Sequence, residues 1–466
     1  MRRRAFAATA VAALALGACA THDTPPARAP VLPSAYTGAV GANAAVPVRD
    51  WWDAFGSPEL SSLVTTALGA NPDLAIVAER VRQAEAQVRI AGATLFPVLN
   101  FGAATARRGA RPDGGDWQTD DSSSATLSAS YELDLWGKNA SGVRAAEAAL
   151  RASRFDRETV RLTLVAGVAN AYFQVLSLRG RLVIARDNLA VAARVFAVVD
   201  SRVRNGAASS LDLARQQAAV LAQRAAIPPL ELQERQTIFA LAILLGRAPQ
   251  GFETATSAVT DLAVPRVAPG LPAQLLARRP DVASAEAQLA AANANVAAAR
   301  AALLPGISLT GSAGLASEAL LNFLRAPAAA WAVGAALLQP IFNGGRLRAQ
   351  VDAAASRERE LVENYRKFIL AALADVESAL AAGSRNAAQE VLQEQVLVQA
   401  RRALQLAEIR YRAGADDLLT VLDAQRTLFQ AEDQLASIRL ARLQSSVGLF
   451  KALGGGWSET GRETAG

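Results

Sequence analysis

Side chains that usually carry chemistry are scarce in this 466-residue chain, which has one cysteine, Cys19, and one histidine, His22. The remaining sequence therefore offers no Cys/His zinc set, no Ser-His-Asp or Cys-His arrangement and no disulfide framework. No resident metal or cofactor is expected. Long apolar runs are missing as well. A membrane-spanning helix needs roughly 18 or more apolar residues. The best candidate, 328–338, is shorter and is closed by Pro327 and Pro340. Strands must do the work if this chain crosses a membrane. Charge of one sign is also lacking: 48 Lys+Arg against 42 Asp+Glu give +6, and Arg2, Arg3 and Arg4 supply three of these, leaving +3. That remainder is no nucleic-acid footprint. Proline is absent between Pro112 and Pro228 and after Pro340, so helices can run uninterrupted there.

What is present is a ruler. Pro72, Pro97, Gly137, Gly206 and Gly246 recur 208 positions later as Pro280, Pro305, Gly345, Gly414 and Gly454. Ordinary residues keep the same offset, among them Asp73 with Asp281, Arg202 with Arg410, Leu211 with Leu419 and Gln217 with Gln425. Proline and glycine mark places where the backbone is constrained or freed. Matching punctuation at constant spacing predicts two copies of one structural unit, lying side by side.

The start of the chain reads as an export signal. Arg2 to Arg4 form a positive region, an apolar stretch follows, and Leu16-Gly17-Ala18-Cys19 resembles a bacterial lipobox in which Cys19 is lipidated. Ala20 stands where inner-membrane retention would favour aspartate, so the outer membrane is the expected destination. A Pro/Ala/Gly-rich tether follows up to the folded part at Trp51-Trp52.

Each repeat then follows one programme. A helix opens at Pro72-Asp73 or Pro280-Asp281, with proline and an acid in its first turn, and stops before Pro97 or Pro305. The apolar period then changes to two. Leu127, Ala129, Tyr131 and Leu133 alternate with Ser128, Ser130 and Glu132; Ile307, Leu309, Gly311 and Ala313 alternate with Ser308, Thr310 and Ser312. That is a strand with one apolar and one polar face. Each has a less regular partner, 98–106 or 330–341, across a loop at 107–124 or 317–327. Four strands in two hairpins are expected, with Trp117, Tyr131, Trp136 and Trp331 near strand ends as a candidate aromatic girdle. Long helices at 138–204 and 345–412 come next, the second striped by Leu347, Val351, Leu361, Tyr365, Phe368, Ala372, Val376 and Leu380. Tight reversals at Gly206 and Gly414 precede return helices at 211–245 and 418–453, the first interrupted by Pro228-Pro229.

The division is thus a signal peptide at 1–18, a lipidated tether at 19–50 and a first repeat at 51–246. That repeat holds a hairpin at 97–136 and long helices at 138–245. A linker at 247–278 leads to a second repeat at 279–454, with a hairpin at 305–342 and long helices at 345–453, and a tail at 455–466. Four strands cannot close a barrel, since transmembrane barrels begin at about eight strands, and an open edge in lipid is not viable. Several copies must pool their hairpins.

Segments within this framework carry a resemblance. Tyr131-Glu132-Leu133-Asp134-Leu135-Trp136-Gly137-Lys138, Gln339-Pro340-Ile341-Phe342-Asn343-Gly344-Gly345-Arg346 and Arg410-Tyr411-Arg412-Ala413-Gly414 resemble signatures of the bacterial outer membrane factor family, the TolC-like export ducts. Arg278-Arg279-Pro280-Asp281-Val282 and the segment from Leu418 to Gln425 add to the match, which is nearest to the lipoprotein branch of NodT and OprM. The resemblance implies a homotrimer with a shared twelve-stranded transmembrane barrel and a long periplasmic α-barrel. It implies a periplasmic adaptor and an inner-membrane pump of the RND type as partners, with drugs or other small molecules as cargo.

The resemblance further implies that acids at Asp416 and Asp417 line a closed periplasmic aperture and select cations. Capping of the helix at Leu418 is the other reading of those aspartates, and the two are compatible. Arg410 and Arg412 are candidates to tie neighbouring tips together, and Asn205, Gly206, Ala413 and Gly414 are candidate adaptor-docking tips. A pore-less lipoprotein scaffold and a protein-secretion duct are the rival readings. An enzyme is the weakest, because no nucleophile motif accompanies the carboxylates.

Overall fold

The computed structural model describes residues 32–37, 48–255, 262–317 and 328–458. Cys19, the loop at 318–327 and the last residues of the tail lie outside them. A single 3-10 turn, Trp51–Phe55, leads into α1 (Pro58–Ala70) and α2 (Pro72–Ala93). Strands β1 (Val98–Ala110) and β2 (Gln118–Leu133) precede α3 (Lys138–Arg204), α4 (Ser210–Ala225) and α5 (Ile227–Leu244). The second half runs α6 (Pro272–Arg278), α7 (Pro280–Ala301), β3 (Gly306–Ser317), β4 (Ala328–Leu338), α8 (Arg346–Arg412) and α9 (Leu418–Ala452).

The ruler fits two pairs of helices to the residue. Helices α2 and α7 have 22 residues each and α3 and α8 have 67 each, and every boundary is shifted by 208. At 1.5 Å per residue the long helices reach roughly 100 Å. The return helix is continuous in α9, whereas α4 and α5 are separated by Ala226 alone. Pro228 and Pro229 bring no amide hydrogen to the ladder, while Ala226 keeps right-handed angles (φ −74°, ψ −18°), so the interruption is one residue long. Ala436 and Ser437 stand at the equivalent places in α9, and its ladder is intact.

Equivalent positions do the same job with different chemistry. Asn71 caps α2 by accepting from the amides of Asp73 and Leu74 at 2.9 and 3.2 Å, and its Nδ2 donates to the Leu244 carbonyl at 2.9 Å. Its counterpart Arg279 donates to the Ala452 carbonyl at 3.3 Å, grips Asp281 in a fork at 3.0 and 2.6 Å, and reaches Asp375 at 2.9 Å. Burial alone would raise the Asp281 carboxyl's pKa. The Arg279 fork and the Val282 amide outweigh that, so the group sits below the usual carboxylate range. Both return helices end on a left-handed glycine, Gly246 (φ 66°) and Gly454 (φ 85°). A Cβ on either would lie 2.2 Å from the Ala70 carbonyl oxygen or 1.8 Å from that of Arg278, again an equivalent pair.

The four strands form one antiparallel sheet in the order β1-β2-β3-β4. The two expected hairpins are therefore joined by pairing of β2 with β3, from Ser123 opposite Ser317 to Leu133 opposite Ile307. The first connecting loop is shorter than the expected 107–124. Strand β1 continues to Ala110 and β2 begins at Gln118, because the polar residues there pair across the ladder. Arg107, for example, holds Asp121 at 2.7 and 2.8 Å.

The main core lies near the middle of the long helices. Trp51, Trp52 and Phe55 pack there with Leu164 to Leu176 of α3, Ile369 to Leu380 of α8 and Leu443 to Phe450 of α9. Trp51 stacks on Phe450 at 4.9 Å and 16°. Tyr36 is buried in the same core, and the Thr37 amide donates to Glu377 at 2.8 Å. The expected α8 stripe holds at Leu361, Ala372, Val376 and Leu380, but Phe368 faces out and Ile369 turns in. A second cluster near the reversals joins Val195 and Val199 to Leu404, Tyr411, Leu418 and Val421.

Gly454→Ala would add a left-handed backbone penalty to a clash with the Arg278 carbonyl. A loss of at least about 3 kcal/mol is expected, read as a lower denaturant midpoint of the detergent-solubilised protein. Gly383→Ala, in the interior of α8 with open space around its Cβ position, is expected to gain up to about 1 kcal/mol instead.

Candidate functional site

The sheet has two chemically distinct faces, most clearly on β2 and β3. One row runs Phe101–Leu127–Ala313–Trp331, and others run Leu99–Ala129–Gly311–Val333 and Leu133–Ile307–Leu337. The alternate row Asn100–Ser128–Ser312–Ala332 is small, with hydroxyls at Ser128 and Ser312, as at Ser130 and Thr310. Phe101 and Trp331 are 73% and 79% exposed, although they belong to an apolar band. Such a surface would be a liability in water and matches the lipid-facing side of a transmembrane strand. Among the described residues no helix is long and apolar enough to cross a membrane.

Towards the loop the apolar band gives way to the Thr105–Ser123 hydroxyl pair at 3.1 Å and then to the Arg107–Asp121 pair. At the helix end the opposite face carries Glu132, which accepts from Lys138 Nζ at 2.6 Å. Trp117 and Trp331 stand at the loop side of the sheet and Tyr131 and Trp136 at the helix side. The Trp136 indole N–H donates to the Pro305 carbonyl at 2.7 Å. Strands β1 and β4 are the edges of the sheet, each with one unpaired row of backbone groups.

The opposite end of the long helices carries the other candidate residues. Both reversals turn on a left-handed glycine, Gly206 (φ 72°) and Gly414 (φ 75°), and Asn205, Gly206, Ala413 and Gly414 are all exposed. Ser209 and Asp417, equivalent by the ruler, cap the return helices. Ser209 Oγ accepts from the Asp212 amide at 3.2 Å while the Asp212 carboxylate accepts from the Ser209 amide at 3.2 Å. Asp417 accepts from the Thr420 amide at 3.1 Å and its hydroxyl at 2.9 Å.

Asp416 is held by a two-pronged Arg410 fork at 2.7 and 2.9 Å. That guanidinium keeps the Asp416 carboxyl below the usual carboxylate range. The structure thus brings Asp416 and Arg410 together, gives Asp417 a capping bond and sets Arg412 apart, against Glu408 at 3.4 Å. Sequence reasoning missed one tip contact. Arg202 donates to the Tyr411 carbonyl at 2.7 Å and lies 4.6 Å above that tyrosine's ring, tying the first repeat to the second. The signal available was the ruler itself, which pairs Arg202 with Arg410.

A lipid-facing apolar sheet on long helices defines an outer-membrane channel, and known proteins agree. The outer membrane efflux protein family matches residues 63–247 and 271–455, two blocks that are themselves 208 apart. The chain is 46% identical over 455 residues to the pyoverdine export outer membrane protein OpmQ of Pseudomonas aeruginosa, covering 96% of each chain. It is 36% identical over 476 residues to outer membrane protein OprJ of the same organism, covering 98% of each. Among solved structures, the outer-membrane channel OprN superposes with a TM-score of 0.87 at 28% identity, over 94% of this chain and 98% of that one. The open state of the Neisseria gonorrhoeae MtrE outer membrane channel gives 0.83 at 29% identity, over 94% and 97%. The chain belongs to the outer membrane efflux protein family. It is an outer-membrane channel of an efflux pump system, with a TolC-like fold, and the pore-less scaffold reading is set aside.

Leu127→Arg places a charge on the lipid-facing row and is expected to cost about 2–4 kcal/mol near the midplane. Ser128→Ala, one residue along on the hydroxyl face, is expected to leave folding within about 0.5 kcal/mol of the parent. Heat stability of the folded species on semi-native gels separates the two, and equal tolerance of both changes would remove the assignment of faces.

Proposed function

We propose that the chain is one third of a lipid-anchored duct that releases small polar metabolites handed over by an inner-membrane pump of the RND type through a periplasmic adaptor. The observation that carries this reading is the open four-stranded sheet, apolar on one face and hydroxyl-lined on the other, continuous with two 67-residue helices. Three copies bring the strands to twelve, an even number within the range of about 8 to 26 seen for such barrels. The same threefold gathers the long helices into a periplasmic tube, and Cys19 supplies the lipid anchor. Asn205, Gly206, Ala413 and Gly414, exposed at the reversals, are the surface offered to the adaptor.

Cargo follows from the relatives. OpmQ proteins of Pseudomonas aeruginosa and Pseudomonas putida, 46% and 47% identical to this chain, are named for pyoverdine export. That favours a secreted, pyoverdine-like small molecule over a protein substrate. The uncharged polar rows Asn100–Ser128–Ser312 and Ser130–Thr310 suit such cargo, because they bind neither sign of charge tightly.

At the tip, Asp416 and Asp417 of three copies crowd negative charge into one opening, offset in part by the Arg410 fork on each Asp416. Planar-bilayer recording of the purified protein, with its mass measured in detergent, tests the reading. A trimer with cation-selective conductance is expected. Asp416→Ala with Asp417→Ala should weaken both selectivity and block by trivalent cations from the periplasmic side. Arg410→Ser should unmask Asp416 and raise cation selectivity. Unchanged recordings from the double aspartate variant would leave those residues as a helix cap and an ion-pair partner only. Cys19→Ser is expected to abolish fatty-acid labelling while the barrel retains part of the membrane association, and normal labelling would rule out the anchor.

A further inference from the structure

Charge is rare on the four described strands, and where it occurs it is unevenly used. Strand β1 carries Arg107 and Arg108, β2 carries Asp120, Asp121 and Glu132, and β3 and β4 carry no charged residue. Three of these five are engaged: Arg107 clasps Asp121 with two bonds, and Glu132 accepts from Lys138. Arg108 and Asp120 stand directly opposite each other in the β1–β2 ladder. Among the described residues, no hydrogen bond or ion pair engages either of those two side chains.

A step of one residue separates the two pairs, and on a strand that step reverses the face. Arg107 and Asp121 lie on the face of Phe101 and Leu127, which is turned to lipid. Arg108 and Asp120 lie on the face of Asn100, Ser122 and Ser128. In the multi-copy duct proposed above, that second face lines the bore. Between the levels of Ser130 and Ser122 it carries nothing charged and nothing longer than Asn100, and Gly102, Gly314 and Gly334 bring no side chain at all. The uncharged stretch from Ser130 to Asp120 is roughly 34 Å long at about 3.4 Å per residue. Arg108 is the longest side chain on this face of the described strands. It stands with Asp120 beyond the last β2–β3 pair, Ser123 with Ser317, at the end away from the helices. That end is the outer mouth.

We propose that Arg108 and Asp120, repeated in each copy, form a mixed-charge ring at the outer mouth, where the duct distinguishes charged small molecules from neutral ones. The proposal rests on the duct reading and adds to it a place and a class of cargo. An exposed ion pair between neighbouring strands is weak, because water and salt screen it. A leaving carboxylate can therefore take the place of Asp120 at Arg108, and a leaving ammonium group can take the place of Arg108 at Asp120. The bore beneath offers neither group an opposite charge. Low-dielectric walls focus the field of a few charges in such an opening. A neutral solute meets nothing at the mouth that the hydroxyl and amide side chains below have not already offered.

Thiol chemistry from the outer side tests the ring, since Cys19 is the only cysteine of the chain. The full-length Arg108→Cys protein in planar bilayers, treated with an impermeant anionic methanethiosulfonate, should lose current in three steps, one per copy. Arg107→Cys, on the other face, should keep its current under the same treatment. Asp120→Cys should react several-fold faster with the anionic reagent than Asp120→Cys combined with Arg108→Ala does. A cationic reagent should show the reverse order. Labelling at position 108, verified by mass spectrometry, without a change of current would overturn the ring, and so would absence of labelling there. An equal loss of current in Arg107→Cys would overturn the assignment of faces on which it stands. Equal rates with and without Arg108 would remove the charge recognition. A parental protein with no conductance would instead overturn the duct reading itself, which keeps the two failures apart.

Discussion

A backbone amide or carbonyl left unpaired in hydrocarbon costs several kcal/mol, and that constraint governs everything else in this protein. The sheet satisfies its interior rows through three antiparallel ladders but leaves β1 and β4 each with one open row. Among the described residues no helix is long and apolar enough to cover those edges in the membrane. Only more strands can do so, and the supply of strands is other copies of the chain. Once the sheet closes through copies, the helices that leave it are committed to the same ring. Gly137 and Gly345 mark those exits, and their left-handed backbones (φ 71° and 82°) carry the chain from strand direction into α3 and α8.

Duplication has kept geometry while releasing chemistry. Asn71 and Arg279 both bridge the start of one helix to the end of a return helix, one with an amide and the other with a guanidinium. Ser209 and Asp417 both cap, one within a reciprocal Ser–Asp pair and the other with a carboxylate alone. A cap needs only an acceptor aimed at free amides, so several residue types satisfy it. Gly246 and Gly454 had no such latitude, because each passes close against a carbonyl that any side chain would strike.

The tips show the repeats diverging in their contacts. Arg202 finds the ring and carbonyl of Tyr411 across the repeat boundary, whereas Arg410 meets Asp416 on its own reversal. The equivalents of Tyr411 and Asp416 in the first repeat are Val203 and Ala208, which offer neither a ring nor a charge. One arginine position thus fastens two repeats to each other, and the other pairs with a carboxylate of its own reversal. Asp416 and Asp417 have no acidic equivalents in the first repeat, whose reversal carries Asp212 within its cap instead.

Local pattern determined much of this molecule. The period of two over 127–133 and 307–313, the proline-free spans and the 208-residue ruler were enough for the strands, the long helices, the break at Pro228 and the reversals at Gly206 and Gly414. Each of these depends on residues within a turn or two of one another, or on backbone freedom at one position. The tertiary structure decided what no local pattern contains. The pairing of β2 with β3 joins residues nearly two hundred positions apart. The charged ends of the first hairpin read as loop because Arg107 and Asp121 look solvated until the ladder sets them opposite each other. The Arg202–Tyr411 contact likewise exists only once the two repeats pack. Burial divides helices that the ruler makes identical: α7 has a neighbour on two sides and α2 has not. Sequence sets which side chains share a face, but the number of faces that are covered is a property of the packed assembly.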